Sequence, residues 1–205
     1  MQQSIDPIRE DAMIVRALAL TTSALAAALV FAAPSDAAVT VLGNNSLAQS
    51  CYRYAEFGGS SAAGISTCTT ALETQPLAFK DRAATLVNRG IIRARMDDSA
   101  GALADYDNGI HIDAQLAEAY VNRGATLIVM KRWDDALKDI DKGISLGARR
   151  MHIAYYDRAI VHEEMGDIRA AYEDYKKASE LEPGFTLATQ QLERFRVVRK
   201  KADGA

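Results

Sequence analysis

The tripeptide Asn88-Arg89-Gly90 returns as Asn122-Arg123-Gly124, a shift of 34 residues, and a weaker copy follows at Asp157-Arg158-Ala159. Self-similarity at this period is the signature of stacked supersecondary units, none of which buries its apolar face alone. The register extends beyond the tripeptide. Ala102, Ala136 and Ala171 align, as do Leu103, Leu137 and Tyr172, then Tyr106, Ile140 and Tyr175, then Gly109, Gly143 and Ala178. Arg123 and Arg158 are 35 apart, so Gly147-Ala148-Arg149-Arg150 must absorb one extra residue.

Within each unit the apolar residues fall at helical spacing on two segments. Met96-Asp97-Asp98, Lys131-Arg132 and Gly166-Asp167 divide them. Each unit therefore reads as helix, tight turn, helix. Glycine inside a helix costs about 1 kcal/mol relative to alanine, so Gly90, Gly124, Gly109 and Gly143 need a packing reason, and close approach of the paired helices supplies one. Arg89, Arg123 and Arg158 recur with Asp105, Asp139 and Asp174, 16 residues further on. That spacing predicts a ladder of ion pairs between the two helices of each hairpin.

Ahead of the repeats, the first residues read as an address. Arg16 follows Met13 as a short positive segment, Ala17 to Ala33 is an uncharged Ala/Leu/Val run, and Pro34-Ser35-Asp36-Ala37-Ala38 offers small residues for cleavage. Residues 1–38 are expected to be a signal peptide, with Met13 the expected initiator because the acidic leader Met1 to Ala12 is foreign to such segments. The rival is an uncleaved anchor over residues 17–33, at the lower length limit for spanning a bilayer. Export, in a bacterial-type cell to the periplasm, favours pairing the two cysteines, Cys51 and Cys68, as a structural disulfide. Residues 39–45 read as a flexible lead-in. Residues 46–82 read as a degenerate helical hairpin, broken at Gly58-Gly59-Ser60 and closed by Pro76, with one cysteine on each helix.

The repeat resembles the tetratricopeptide repeat family. Gly90 and Gly124 stand at that family's small eighth position, Ala102, Ala136 and Ala171 at its twentieth, Tyr106 and Tyr175 at its aromatic twenty-fourth, and Pro183 at its closing proline. Leu86, Tyr120 and Tyr155 replace its tryptophan, and Ala114 and Ala148 replace the closing proline of the first two units. The resemblance covers residues 83–185 as three units (83–116, 117–150, 152–185), and residues 186–205 look like the capping helix with a basic tail. It implies an all-α fold of antiparallel helix-turn-helix repeats, stacked as a right-handed α-solenoid.

The resemblance also implies a ligand groove on the inner face. From the first unit it would present Val87, Asn88, Ile91 and Arg95. The second would add Glu118, Val121, Asn122, Ala125 and Ile128, and the third Tyr156, Asp157 and Ile160. An apolar centre with mixed polar edges suits an extended peptide or the apolar face of a helix. The terminal-carboxylate clamp of chaperone-binding members is not expected, because Val87 and Asp157 stand where it needs cations and only Asn122 fits.

Composition narrows the remaining functions. At 49% hydrophobic, 25% charged and a net charge of -3 with pI near 5.7, the chain has a globular balance and no clustered basic surface for nucleic acid. His111, His152 and His162 are scattered, His162-Glu163-Glu164 is not a zinc helix, and neither a nucleophile elbow nor a phosphate loop occurs. No metal or cofactor is expected, and Trp133 reads as packing. The expectation is a non-catalytic protein-interaction module, monomeric or weakly self-associating. A self-assembling structural element is the alternative, and an enzyme with an unrecognised site a lesser one.

Overall fold

The computed structural model describes residues 13–17, 38–41, 46–58 and 61–199. Nine helices follow one another among them: α1 Ser46–Phe57, α2 Ala62–Thr74, α3 Phe79–Arg95, α4 Ser99–Ile112, α5 Ala117–Val129, α6 Trp133–Ser145, α7 Met151–Glu164, α8 Ile168–Leu181 and α9 Thr186–Leu192. They pack as consecutive antiparallel pairs, α1 on α2, α3 on α4, α5 on α6 and α7 on α8. The first helices of the three repeats, α3, α5 and α7, also touch in sequence along one side of the array.

The hairpin turns are built alike. The residue after the helix end takes a left-handed backbone at Asp97 (φ 61°), Lys131 (φ 56°) and Gly166 (φ 84°). The next amide then reaches back to the last turn: Asp98 N–H to Arg93 O at 3.0 Å, Arg132 N–H to Leu127 O at 2.9 Å, and Asp167 N–H to His162 O at 2.8 Å. These bonds satisfy carbonyls that a helix end leaves without partners. Asp98 and Asp167 then cap the following helix, accepting from Gly101 N–H and Ala170 N–H.

Packing within a hairpin is reciprocal. A Cβ on Gly90 of α3 would come within 2.6 Å of the Tyr106 ring on α4, and one on Gly109 of α4 would come within 2.9 Å of Val87 Cγ2 on α3. The second repeat repeats both contacts, with Gly124 against Ile140 and Gly143 against Val121. The first two units are thus locked by two side chains seated over two glycines, while Ala159 and Ala178 stand at those positions in the third.

An ion-pair ladder joins the two helices of each repeat. Arg89 holds Asp105 through two bonds of 2.9 and 2.7 Å, Arg123 holds Asp139 at 2.6 and 2.7 Å, and Arg158 holds Asp174 at 2.7 and 2.8 Å. The third guanidinium nitrogen of each arginine reaches the preceding hairpin, at Thr69, Asp107 and Asp141 respectively. Each arginine therefore ties two hairpins together. Its bonds to Asp139, and secondarily to Asp107, hold the Arg123 guanidinium proton above the ordinary arginine range against the opposing effect of burial.

The expected capping helix over 186–205 forms at its start, and the chain departs from it after seven residues. Helix α9 stops at Leu192, and Phe195–Arg199 forms a strand, β2, paired antiparallel with β1, Met13–Ala17. The run Phe-Arg-Val-Val-Arg favours extended backbone through its aromatic and β-branched residues. Phe195 is anchored beside Tyr172 and Tyr175, at ring-centroid distances of 5.8 and 5.9 Å, while Arg194 pairs with Glu163, which also accepts from the Tyr175 hydroxyl. The last apolar face is covered by this aromatic cluster together with α9.

At the N-terminal end, the expected signal segment lies outside the described residues except for β1 and Ala38. No helix among the described residues is long and apolar enough to cross a membrane. In the degenerate hairpin the Cys51 and Cys68 sulfurs are bonded to each other across α1 and α2, with Cα atoms 4.8 Å apart.

Candidate functional site

The expected lead-in at 39–45 is corrected over its first part. Residues 38–41 lie against α3 without forming helix or strand, and 42–45 lie outside the described residues. The physical reason is a pair of hydrogen bonds from one side chain. The Val39 N–H donates to Asn88 Oδ1 at 2.8 Å, and Asn88 Nδ2 donates to the Val39 carbonyl at 2.8 Å. A primary amide fulfils both needs of one residue's backbone at once, as a neighbouring β-strand would. Asn88 is itself fully buried at the centre of α3, so its carboxamide is held rigidly for this purpose.

Two apolar seats flank that contact. Ala38 belongs to the core cluster of Val87, Ile91 and Ile92 below the first repeat, and Val41 to that of Ala48, Ala71 and Ala84 between the degenerate hairpin and α3. Both are buried, whereas Thr40 between them is exposed. Its hydroxyl accepts from Arg149 Nη1 at 2.9 Å. Beside the segment remains a cleft of about 540 Å³, bounded by Lys80, Asp113, Leu116, Glu118 and Arg149.

Arg149 comes from the loop that carries the extra residue of the repeat. Gly147 turns the chain at φ 78°, Ala148 N–H bonds back to Gly143 O, and the side chains of the two arginines that follow reach Thr40 and Glu56. Glu118 Oε1 accepts from the Arg149 backbone N–H at 3.2 Å, fixing the loop to α5. Arg150 reaches Glu56 on α1 at 2.6 Å, 94 residues away in sequence. This loop spans the inner face from the third repeat to the first hairpin. The interruption of the 34-residue period was the available signal for it, but the spacing alone did not say where the arginines would point.

Of the residues expected to line the groove, Asn88 and Glu118 do so. Val87 and Val121 do not, because they are the knobs seated over Gly109 and Gly143. Ile91 and Ile128 are buried in the cores of the first two repeats. Tyr156 is buried against Tyr175 and Phe185 in edge-on contacts of 5.4 and 5.2 Å, and burial pushes its hydroxyl above the usual tyrosine range. Asn122 and Asp157 are buried, with Asn122 Nδ2 bonded to Glu118 O on its own helix at 2.8 Å. Arg95 instead bonds the carbonyls of Tyr54 at 3.3 Å and Ala55 at 2.5 Å, closing the C-terminus of α1 where a cation is favoured. Ala125 and Ile160 are partly open, and Ile160 also packs against the cores of the second and third repeats.

No protein-family model matches the chain, and no curated protein matches it. Solved structures do. The crystal structure of MamA is similar at 24% identity and a TM-score of 0.54, over 63% of this chain and 72% of that one. The first TPR domain of human RPAP3 is similar at 24% identity and a TM-score of 0.53, over 56% and 89%. YrrB, described as a TPR protein with an unusual peptide-binding site, is similar at 22% identity and a TM-score of 0.55, over 65% and 64%. The first TPR of Spaghetti (RPAP3), solved bound to the HSP90 peptide SRMEEVD, is similar at 24% identity and a TM-score of 0.53, over 56% and 92%. At these identities the likeness establishes the fold, and the helical array is a tetratricopeptide-type α-solenoid.

Proposed function

We propose that this tetratricopeptide-fold chain is a non-catalytic protein-interaction module that takes an extended peptide segment in its inner groove. The observation that carries the reading is the Asn88 carboxamide closing on both backbone groups of Val39, since the same two bonds are available to any extended chain. Peptide recognition in the solved relatives supports it: one is described by its peptide-binding site and another is bound to an HSP90 peptide. The ligand differs in kind from a clamped terminal carboxylate, because Val87 and Asp157 offer no cation. The bonded cysteines and the leader pattern support export to a periplasm-like compartment.

The test is a photo-crosslinking residue at Gln115, exposed at the groove rim, set against the same residue at Lys177, exposed on α8. Expression in the native cell is expected to give a discrete protein adduct at 115 and not at 177. Equal adducts at both positions, or none at 115, would contradict the reading. An adduct with the mass of two chains would assign the groove to a second copy, as in the self-assembly alternative.

A further inference from the structure

Resting on that reading, we infer that residues Ala38–Val41 are a built-in competitor of the groove, and that the partner segment it admits is an uncharged extended peptide of the same pattern. Four observations converge on this. The segment is joined to the repeats by side-chain bonds from two separate elements, Asn88 on α3 and Arg149 in the loop after α6. Its buried residues, Ala38 and Val41, stand three positions apart, and the residue facing out between them, Thr40, supplies an oxygen to Arg149. The seats themselves are taken by small apolar groups, Ala38 in the cluster of Val87, Ile91 and Tyr106, and Val41 in the cluster of Ala48, Ala71 and Ala84 that Tyr52 and Leu77 adjoin. Asn88 reads backbone and is indifferent to the side chain carried at the position of Val39.

These features define the ligand chemically. It is extended, with a small apolar residue at the first position, a free backbone N–H and C=O at the second, a hydrogen-bond acceptor at the third and a β-branched aliphatic at the fourth. A proline at the second position is excluded, since it has no N–H for Asn88 Oδ1. Because the chain's own segment fits, a partner binds only while that segment is displaced, and its apparent affinity falls by the fraction of time the groove is empty.

The experiment uses a fluorescein-labelled peptide of residues 35–44, Ser-Asp-Ala-Ala-Val-Thr-Val-Leu-Gly-Asn, titrated by anisotropy into the full chain and two variants. Val41→Asp places a charge against Ala48, Ala71 and Ala84 and ejects the chain's own segment. It is expected to bind the peptide about tenfold more tightly than the unaltered chain. Adding Asn88→Ala to Val41→Asp is expected to abolish that gain, while circular dichroism reports an unchanged helical array. Equal affinity of the unaltered chain and Val41→Asp would overturn the inference, as would a gain that survives Asn88→Ala. If the peptide behaves as expected and Gln115 captures no protein, competition in cis stands and the partner reading fails. If Gln115 captures a partner and Val41→Asp changes nothing, the reverse holds.

Discussion

Asn88 and Val39, 49 residues apart, exchange two hydrogen bonds of 2.8 Å, one in each direction. The relationship joins the repeat that decides the fold to a segment that carries no repeat signal. An amide buried in a helix that satisfies another segment's backbone is costly to leave unmet, because a desolvated donor and acceptor lose about 1 to 3 kcal/mol without partners. The groove is therefore built to be filled, by the chain's own residues or by another's.

The bond between Cys51 and Cys68 closes a loop with a sequence separation of 17. On the chain-entropy account, losing it costs about 3 kcal/mol. A Cys51→Ala/Cys68→Ala chain is expected to show that loss in urea denaturation, with the loss concentrated in the first hairpin and the seat of Val41.

Arg123 faces two carboxylates, of which Asp139 is the more deeply buried. Removing the cation leaves that carboxylate without its partner, so Arg123→Ala is expected to destabilise by about 3 kcal/mol. Replacing the pair by Arg123→Met/Asp139→Leu should recover most of this, since both charges leave together. A double-mutant cycle on unfolding free energies measures the difference.

At Lys131 a side chain occupies a left-handed backbone position that Gly166 fills in the next repeat. Lys131→Gly is expected to stabilise by about 1 kcal/mol, and Gly166→Ala to destabilise by a similar amount, because a Cβ is disfavoured at such angles. Thermal melts of the two variants check the opposite signs.

His152 packs edge-on against Phe185 at 5.2 Å, and burial lowers its pKa below the ordinary histidine value, with Glu182 opposing and Arg150 adding to the shift. The unfolded chain then binds a proton before the folded chain does, so stability is present above the unfolded value of about 6.5 and is lost as pH falls below it. Unfolding midpoints between pH 7.5 and 5.5 are expected to fall, and the fall should be smaller in His152→Gln.

The helical pairs and their turns were legible in the sequence because glycine, tyrosine and arginine recur at one period, and each has a geometric reason to do so. Gly109 and Val87 show the limit of that reading. The period locates both on facing helices but does not say that Val87 is spent in filling the space over Gly109, which removes it from the groove. Residues 39–45 read as a flexible lead-in because a short polar and β-branched stretch has no periodicity, and the bonds that hold its first part come from Asn88 and Arg149, 49 and 109 residues away. The strand at Phe195–Arg199 was missed for a related reason: its basic residues suit a helix end, whereas its β-branched pair and the anchor at Phe195 favour extension.

The account turns on whether residues 38–41 occupy the groove in solution, and amide hydrogen exchange of Val39 measures this directly. The Val39 amide is expected to exchange slowly in the full chain, and at the rate of a free peptide once Asn88→Ala removes its acceptor, while the amides of α5 and α6 keep their protection. Free-peptide exchange of Val39 in the unaltered chain would contradict the account.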